Sequence, residues 1–90
     1  MVNYLTSAAF DVEKIVKACH KYDIKCGVDL AHAAGSVPVR LHEWNVDCAV
    51  WCNYKYLNSG PGALGGLFMH SRNAHYLPGL RGWHGNARKT

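Results

Sequence analysis

Acidic residues are scarce in this chain. Six aspartates and glutamates stand against ten lysines and arginines in 90 residues, a formal net charge of +4. The basic excess is dispersed apart from Arg88-Lys89, and no DNA- or RNA-recognition motif accompanies it. That pattern describes a solvated surface and excludes a nucleic-acid footprint. No apolar run approaches the roughly 20 residues that cross a bilayer, so no membrane-spanning helix is expected. Met1 is followed by Val2-Asn3-Tyr4, without the basic and apolar regions of a secretory leader. The four cysteines, Cys19, Cys26, Cys48 and Cys52, make no CxxC pair and no disulfide-like framework. Thiols set in apolar runs are commonly reduced, which points to a reducing, cytoplasmic compartment. His70, His75 and His84 lack standard zinc spacing, and Cys48 with Cys52 would merely share one strand face, so no metal is expected. Repeats and low-complexity tracts are absent.

Helices are scarce too, and this bounds the architecture. At 49% hydrophobic and 18% charged the chain is globular in composition. Asp11 is a good N-cap for a helix to about residue 22, because apolar residues at 12, 15, 16 and 19 keep helical spacing. Lys14, Lys17 and Lys21 fall on its wet side. Residues 2–6 suit a short strand or its end. A strand is expected over 25–28, ending at Asp29, then a loop of small residues over 31–35. Pro38 bars regular helix through its own position, and 39–44 suit a short helix. Further strands are expected over 47–51 and 64–69. Gly65 and Gly66 either weaken the last strand or mark a close backbone approach. From Ser71 the chain is polar and irregular. The order is that of an α/β fold. Its apolar runs resemble central strands, with too few helices to cover them in so small a domain. The expectation is a segment of a larger α/β enzyme, with exposed sheet edges and apolar faces.

The chemistry concentrates at Trp51-Cys52-Asn53-Tyr54-Lys55-Tyr56-Leu57-Asn58, before the turn Ser59-Gly60-Pro61-Gly62. An apolar run delivers Lys55 to the mouth of a turn between two tyrosines. Desolvation there would lower the lysine's pKa and free its amine as a nucleophile. Asp29 ends the earlier strand, in Asp29-Leu30-Ala31-His32. An acid and a lysine, each at the C-terminal end of a strand, suit pyridoxal 5′-phosphate: the lysine binds the aldehyde and the acid pairs with the pyridinium nitrogen. The Gly-rich stretch 60–66 precedes a strand, not a helix, so it is no P-loop.

Asp29-Leu30-Ala31-His32-Ala33, the lysine octapeptide and Gly82-Trp83-His84-Gly85 together resemble the kynureninase family. Those are pyridoxal-phosphate enzymes of fold type I, in the class V aminotransferase branch. The resemblance implies a segment of the large cofactor-binding domain, 1–90, with a mainly parallel sheet and flanking helices. By that resemblance the small domain and the remainder of the large one are expected to lie outside these 90 residues. It also implies that the strand after the lysine turn runs antiparallel. By the same resemblance Lys55 is the catalytic Schiff-base lysine and proton carrier, and Asp29 the partner of the pyridine nitrogen. His32 contacts the cofactor, Tyr54 holds its phosphate, and Trp83 belongs to the cofactor and substrate region. Asn53 stands where a serine is expected in many relatives.

The implied reaction is hydrolysis of kynurenine or 3-hydroxykynurenine to anthranilate or 3-hydroxyanthranilate plus alanine, in tryptophan catabolism and NAD biosynthesis. The full-length enzyme would be a homodimer. Two alternatives stand beside it. One is a truncated chain that catalyses nothing. The other is a relative such as a cysteine desulfurase, although those typically carry histidine where Tyr54 stands.

Overall fold

The computed structural model describes residues 1–76. Helix α1, Val12–Lys21, forms where its cap and spacing place it. Asp11 Oδ1 accepts from the Lys14 amide at 3.1 Å, and Tyr22 closes the C-terminus. Such a cap contributes about 1 kcal/mol. Val12 and Val16 are buried while Lys14, Lys17 and Lys21 face water. Ile15, expected on the apolar stripe, is exposed, in a shallow groove with Met1, Phe10 and Val28. Within 2–6, expected as a short strand or its end, residues 4–6 form a turn and Val2 alone is bridged. Asn3 Oδ1 accepts from the Leu5 and Thr6 amides, and a single bridge joins Val2 to Ala9.

Three strands follow: β1, Gly27–Asp29; β2, Cys48–Cys52; and β3, Gly65–Met69. They lie side by side in that order. β1 runs parallel to β2, with Gly27 opposite Cys48 and Asp29 opposite Val50. β3 is antiparallel to β2, with Cys52 opposite Gly65 and Cys48 opposite Met69. The sheet is therefore mixed rather than mainly parallel, and α1 is the one α-helix among the described residues. The physical reason is the β2–β3 link. It is a turn with no crossover helix, so the chain comes back antiparallel.

The crossover from β1 to β2 departs from expectation at 39–44. Trp44 N bonds to Arg40 O at 2.9 Å, and Val46 N reaches back to Leu41 O at 3.1 Å. Between them Asn45 takes a left-handed φ of 58°. This is a Schellman-type closure, which stops the helix after one turn. Further on, a 3-10 turn at Ser71–Asn73 is capped by His70.

Alternation along the strands separates two faces. Val28, Ala49, Trp51 and Phe68 join a core with Val12, Val16, Cys26, Leu30, Ala33 and Val46. The opposite face presents Val50, Leu67 and Met69, all at least half exposed. Trp51 explains the paired glycines: a Cβ at Gly65 would strike its carbonyl, and one at Gly66 its indole. Close approach is thus the reading that holds at these positions.

The N-terminal end of β2 is fixed by a buried carboxylate. Asp47 is 4% exposed. Its Oδ2 accepts from the Cys26 amide at 2.7 Å and lies 2.8 Å from His20 Nε2. Its Oδ1 accepts from the Arg72 guanidinium at 2.8 Å and from Asn73 Nδ2 at 2.9 Å. Burial opposes ionisation here. The Cys26 amide, with His20, Asn73 and Arg72, outweighs it and holds the carboxyl well below the usual carboxylate range. Nearby, His70 stacks on His42 with ring centroids 4.5 Å apart. Its Nδ1 accepts from the Arg72 amide, and its buried Nε2 has no hydrogen-bond partner among the described residues. Burial, then the charges of Arg72 and His42, push the imidazole's pKa down.

Both groups have depressed folded pKa values, so each stabilises the fold above its unfolded value and loses that contribution on acidification. Acid should therefore act in two steps, first as pH falls through about 6.5 and again below about 4. His70→Asn keeps an N-cap oxygen but cannot titrate, and should flatten the first step in a series of urea midpoints against pH. Asp47→Ala should remove the second step and destabilise the fold by about 3 kcal/mol, because the buried Cys26 amide and Asn73 side chain lose their acceptor. A pH profile unchanged in both variants would refute this assignment.

Candidate functional site

The C-terminal ends of β1 and β2 lie together, where ligands bind in open parallel sheets. Leu30 N donates to Val50 O at 2.8 Å, extending the pairing past Asp29. Positions 48, 50 and 52 share one face of β2, and the parallel register puts Asp29 on the face of Val50. This is the open face. Cys52 also lies on it, and the Lys55 ammonium donates to Cys52 Sγ at 3.1 Å. The acid and the amine singled out in the sequence thus meet the same side of the sheet, where Val50 is exposed.

Asp29 is exposed, and its Oδ1 accepts from the Ala31 amide at 2.8 Å. That bond turns the chain at the strand end in the manner of an Asx-turn. Among the described residues the other oxygen, Oδ2, makes no hydrogen bond. The turn carries His32, whose ring lies 6.4 Å from Tyr4 and 6.1 Å, edge-on, from Tyr56. The two loops touch at Gly35. Its φ is +84°, and a Cβ there would come within 2.9 Å of the Tyr56 backbone. His32 therefore reaches the lysine turn through Tyr56, the neighbour of Lys55.

The lysine turn is closed by its own backbone. Asn58 N bonds to Lys55 O and Ser59 N to Asn53 O, each at 3.0 Å, and Asn53 N donates to Leu64 O at 3.1 Å. Asn58, Gly60 and Gly62 all have positive φ. Within this frame Lys55 Nζ donates to Tyr54 Oη at 2.9 Å and lies 4.3 Å from that ring's centroid. The tyrosine oxygen, then the Cys52 sulfur, raise the lysine's pKa above its ordinary value. This corrects the expectation of a desolvated amine with a lowered pKa. The face around Lys55 is open to water, and two acceptors favour the charged form.

Trp83 lies outside the described residues. Two features were missed in the sequence. Cys52 stands in the sequence as a thiol of the apolar run, sharing a strand face with Cys48, and its position three residues before the lysine is the signal for its contact with Lys55. The Asp47 cluster had none, since its partners lie 21 to 27 positions away.

Gly35→Ala should part the two loops, because both its φ and its clearance forbid a methyl group. The expected sign is loss of the cross-peaks between the His32 and Tyr56 rings in a nuclear Overhauser spectrum, with those of the β2–β3 ladder retained. Ring cross-peaks of native strength would contradict it.

Comparison with known proteins gives a consistent result. A family model described as aminotransferase class-V matches residues 1–83. A kynureninase of Myxococcus xanthus is 54% identical over 91 residues, covering 99% of this chain and 21% of that protein. A kynureninase of Saccharomyces cerevisiae is 51% identical over 92 residues, covering 94% of this chain and 20% of its own length. Kynureninase 1 of Aspergillus oryzae is 46% identical over 101 residues, covering 99% and 21%. The chain spans about a fifth of the length of the curated relatives it matches.

Proposed function

The chain belongs to the aminotransferase class-V family, and from that premise we propose that it carries the lysine-bearing part of a kynureninase. The reaction is hydrolysis of the Cβ–Cγ bond of kynurenine or 3-hydroxykynurenine, yielding anthranilate or 3-hydroxyanthranilate and alanine. The family depends on pyridoxal phosphate. Residues 1–90 are read as part of the large cofactor-binding domain of a cytoplasmic homodimer. The single observation that carries this reading is the placement of Asp29 and Lys55 on one open face, at the C-terminal ends of adjacent parallel strands.

The donor set suits the cofactor. Asp29 offers a carboxylate with one oxygen uncommitted among the described residues, and Lys55 a primary amine. Val50 offers an apolar surface on the same face. Tyr54 accepts from Lys55 yet keeps its own phenolic proton for a phosphate oxygen. When bound, pyridoxal phosphate supplies an electron sink for bond breaking at the amino acid's α and β carbons. Lys55 would hold the aldehyde carbon, then remove the proton from the substrate's Cα and return one. Asp29 would keep the ring nitrogen protonated by its negative charge. His32, set against Tyr56, would border the ring, and Trp83 would join the cofactor and substrate region.

The Tyr54 oxygen and the Cys52 sulfur raise the lysine's pKa, so its reaction with aldehydes should be slower at pH 7 than that of an unpaired lysine and should accelerate as pH rises to 9. Incubation with pyridoxal phosphate, borohydride reduction and peptide mass spectrometry test the assignment. The expected result is a pyridoxyl group on Lys55, with none on Lys14 or Lys89. Lys55→Ala should abolish the label, and Asp29→Asn should reduce its occupancy several-fold. Scattered labelling of several lysines would overturn the proposal.

A further inference from the structure

We infer that Cys52 is a positioning residue for the Lys55 amine: its sulfur and the Tyr54 hydroxyl form a two-acceptor seat that fixes where the amine stands on the open face of the sheet. The inference rests on the function proposed for Lys55 and adds a residue to that site. A lysine on an exposed turn has a long flexible stem and normally samples many positions. Here two of its three N–H donors are taken, by Cys52 Sγ at 3.1 Å and Tyr54 Oη at 2.9 Å. The two acceptors come from different sources. Tyr54 belongs to the turn itself, whereas Cys52 is held in the sheet opposite Gly65. The sulfur therefore references the amine to the strand, and through the register to Asp29. Cys48 occupies the same face of β2 but lies against Gly27, at the far end from Lys55. It is the natural control.

Acceptors hold the amine in its charged form as well as in place, so removing one changes its reactivity in a way a packing role would not. Competitive acetylation at pH 8, read by mass spectrometry as the rate at Lys55 relative to Lys14 and Lys17, needs no cofactor. Cys52→Val preserves the strand but offers no acceptor. It should raise the Lys55 ratio about threefold and move its rate–pH profile to lower pH. Cys52→Ser should restore the original profile, Tyr54→Phe should shift it as Cys52→Val does, and Cys48→Val should leave it unchanged. An unaltered Lys55 ratio in Cys52→Val, or an equal rise in Cys48→Val, would overturn the inference. A shifted ratio together with failed pyridoxal phosphate labelling would uphold the seat and remove the proposed function instead.

Discussion

Asp47 is the point where β1, β2, α1 and the 3-10 turn converge, and the geometry of the opposite end of the sheet depends on it. Its carboxylate takes the Cys26 amide, while its own amide donates to the Cys26 carbonyl. That double tie starts the β1–β2 ladder at Gly27 opposite Cys48. Everything downstream inherits the register. A slip of one residue would send Asp29 to the face away from Cys52 and Lys55. A buried charge is an expensive way to set a register, and it holds because its oxygens are saturated by donors, one of them a guanidinium. The hub and the candidate site share β2 as a ruler, one at each end.

The same strand pair shows why some of this was legible in the sequence and some was not. The cap at Asp11, the helix of Val12 and Val16, and the apolar runs of β2 and β3 are local patterns, and they folded as local patterns predict. The Asp29 and Lys55 motifs sit at strand ends, where chain order already implies proximity. Asp47 is different. Nothing about an aspartate before an apolar run reveals that Arg72, Asn73, His20 and Cys26 will surround it, because those contacts exist only after the sheet has formed. The 39–44 segment failed for a smaller reason. Its composition permits a helix, but Asn45 in the left-handed region and the short path into β2 leave room for one turn. Gly65 and Gly66 are ambiguous on local pattern alone, because what excludes their side chains is the Trp51 carbonyl at the first and the Trp51 indole at the second.

The protonation of Lys55 is the most informative disagreement. A desolvated lysine requires a buried strand end, with layers on both faces of the sheet. One face of this sheet is packed and the other presents Val50, Leu67 and Met69 to water. On an open face the desolvation that lowers a lysine's pKa is weak, and the Tyr54 oxygen and Cys52 sulfur prevail. The two influences have opposite signs and different origins. The seat is built into the turn and the adjoining strand. Desolvation depends on whatever covers the face.

This separation makes the site intelligible as two layers of control over one amine. Acceptors fixed by the backbone determine where the nitrogen is, and they do so at the expense of its nucleophilicity. Cover determines how costly its charge is. A planar ring laid over exposed Val50 would drive water from that face and strip solvent from the ammonium at the same time. Binding on that face would therefore raise the reactivity of an amine that is already aimed. The aim comes from Cys52 and Tyr54, and the register that makes it meaningful with respect to Asp29 comes from Asp47, at the other end of the strand.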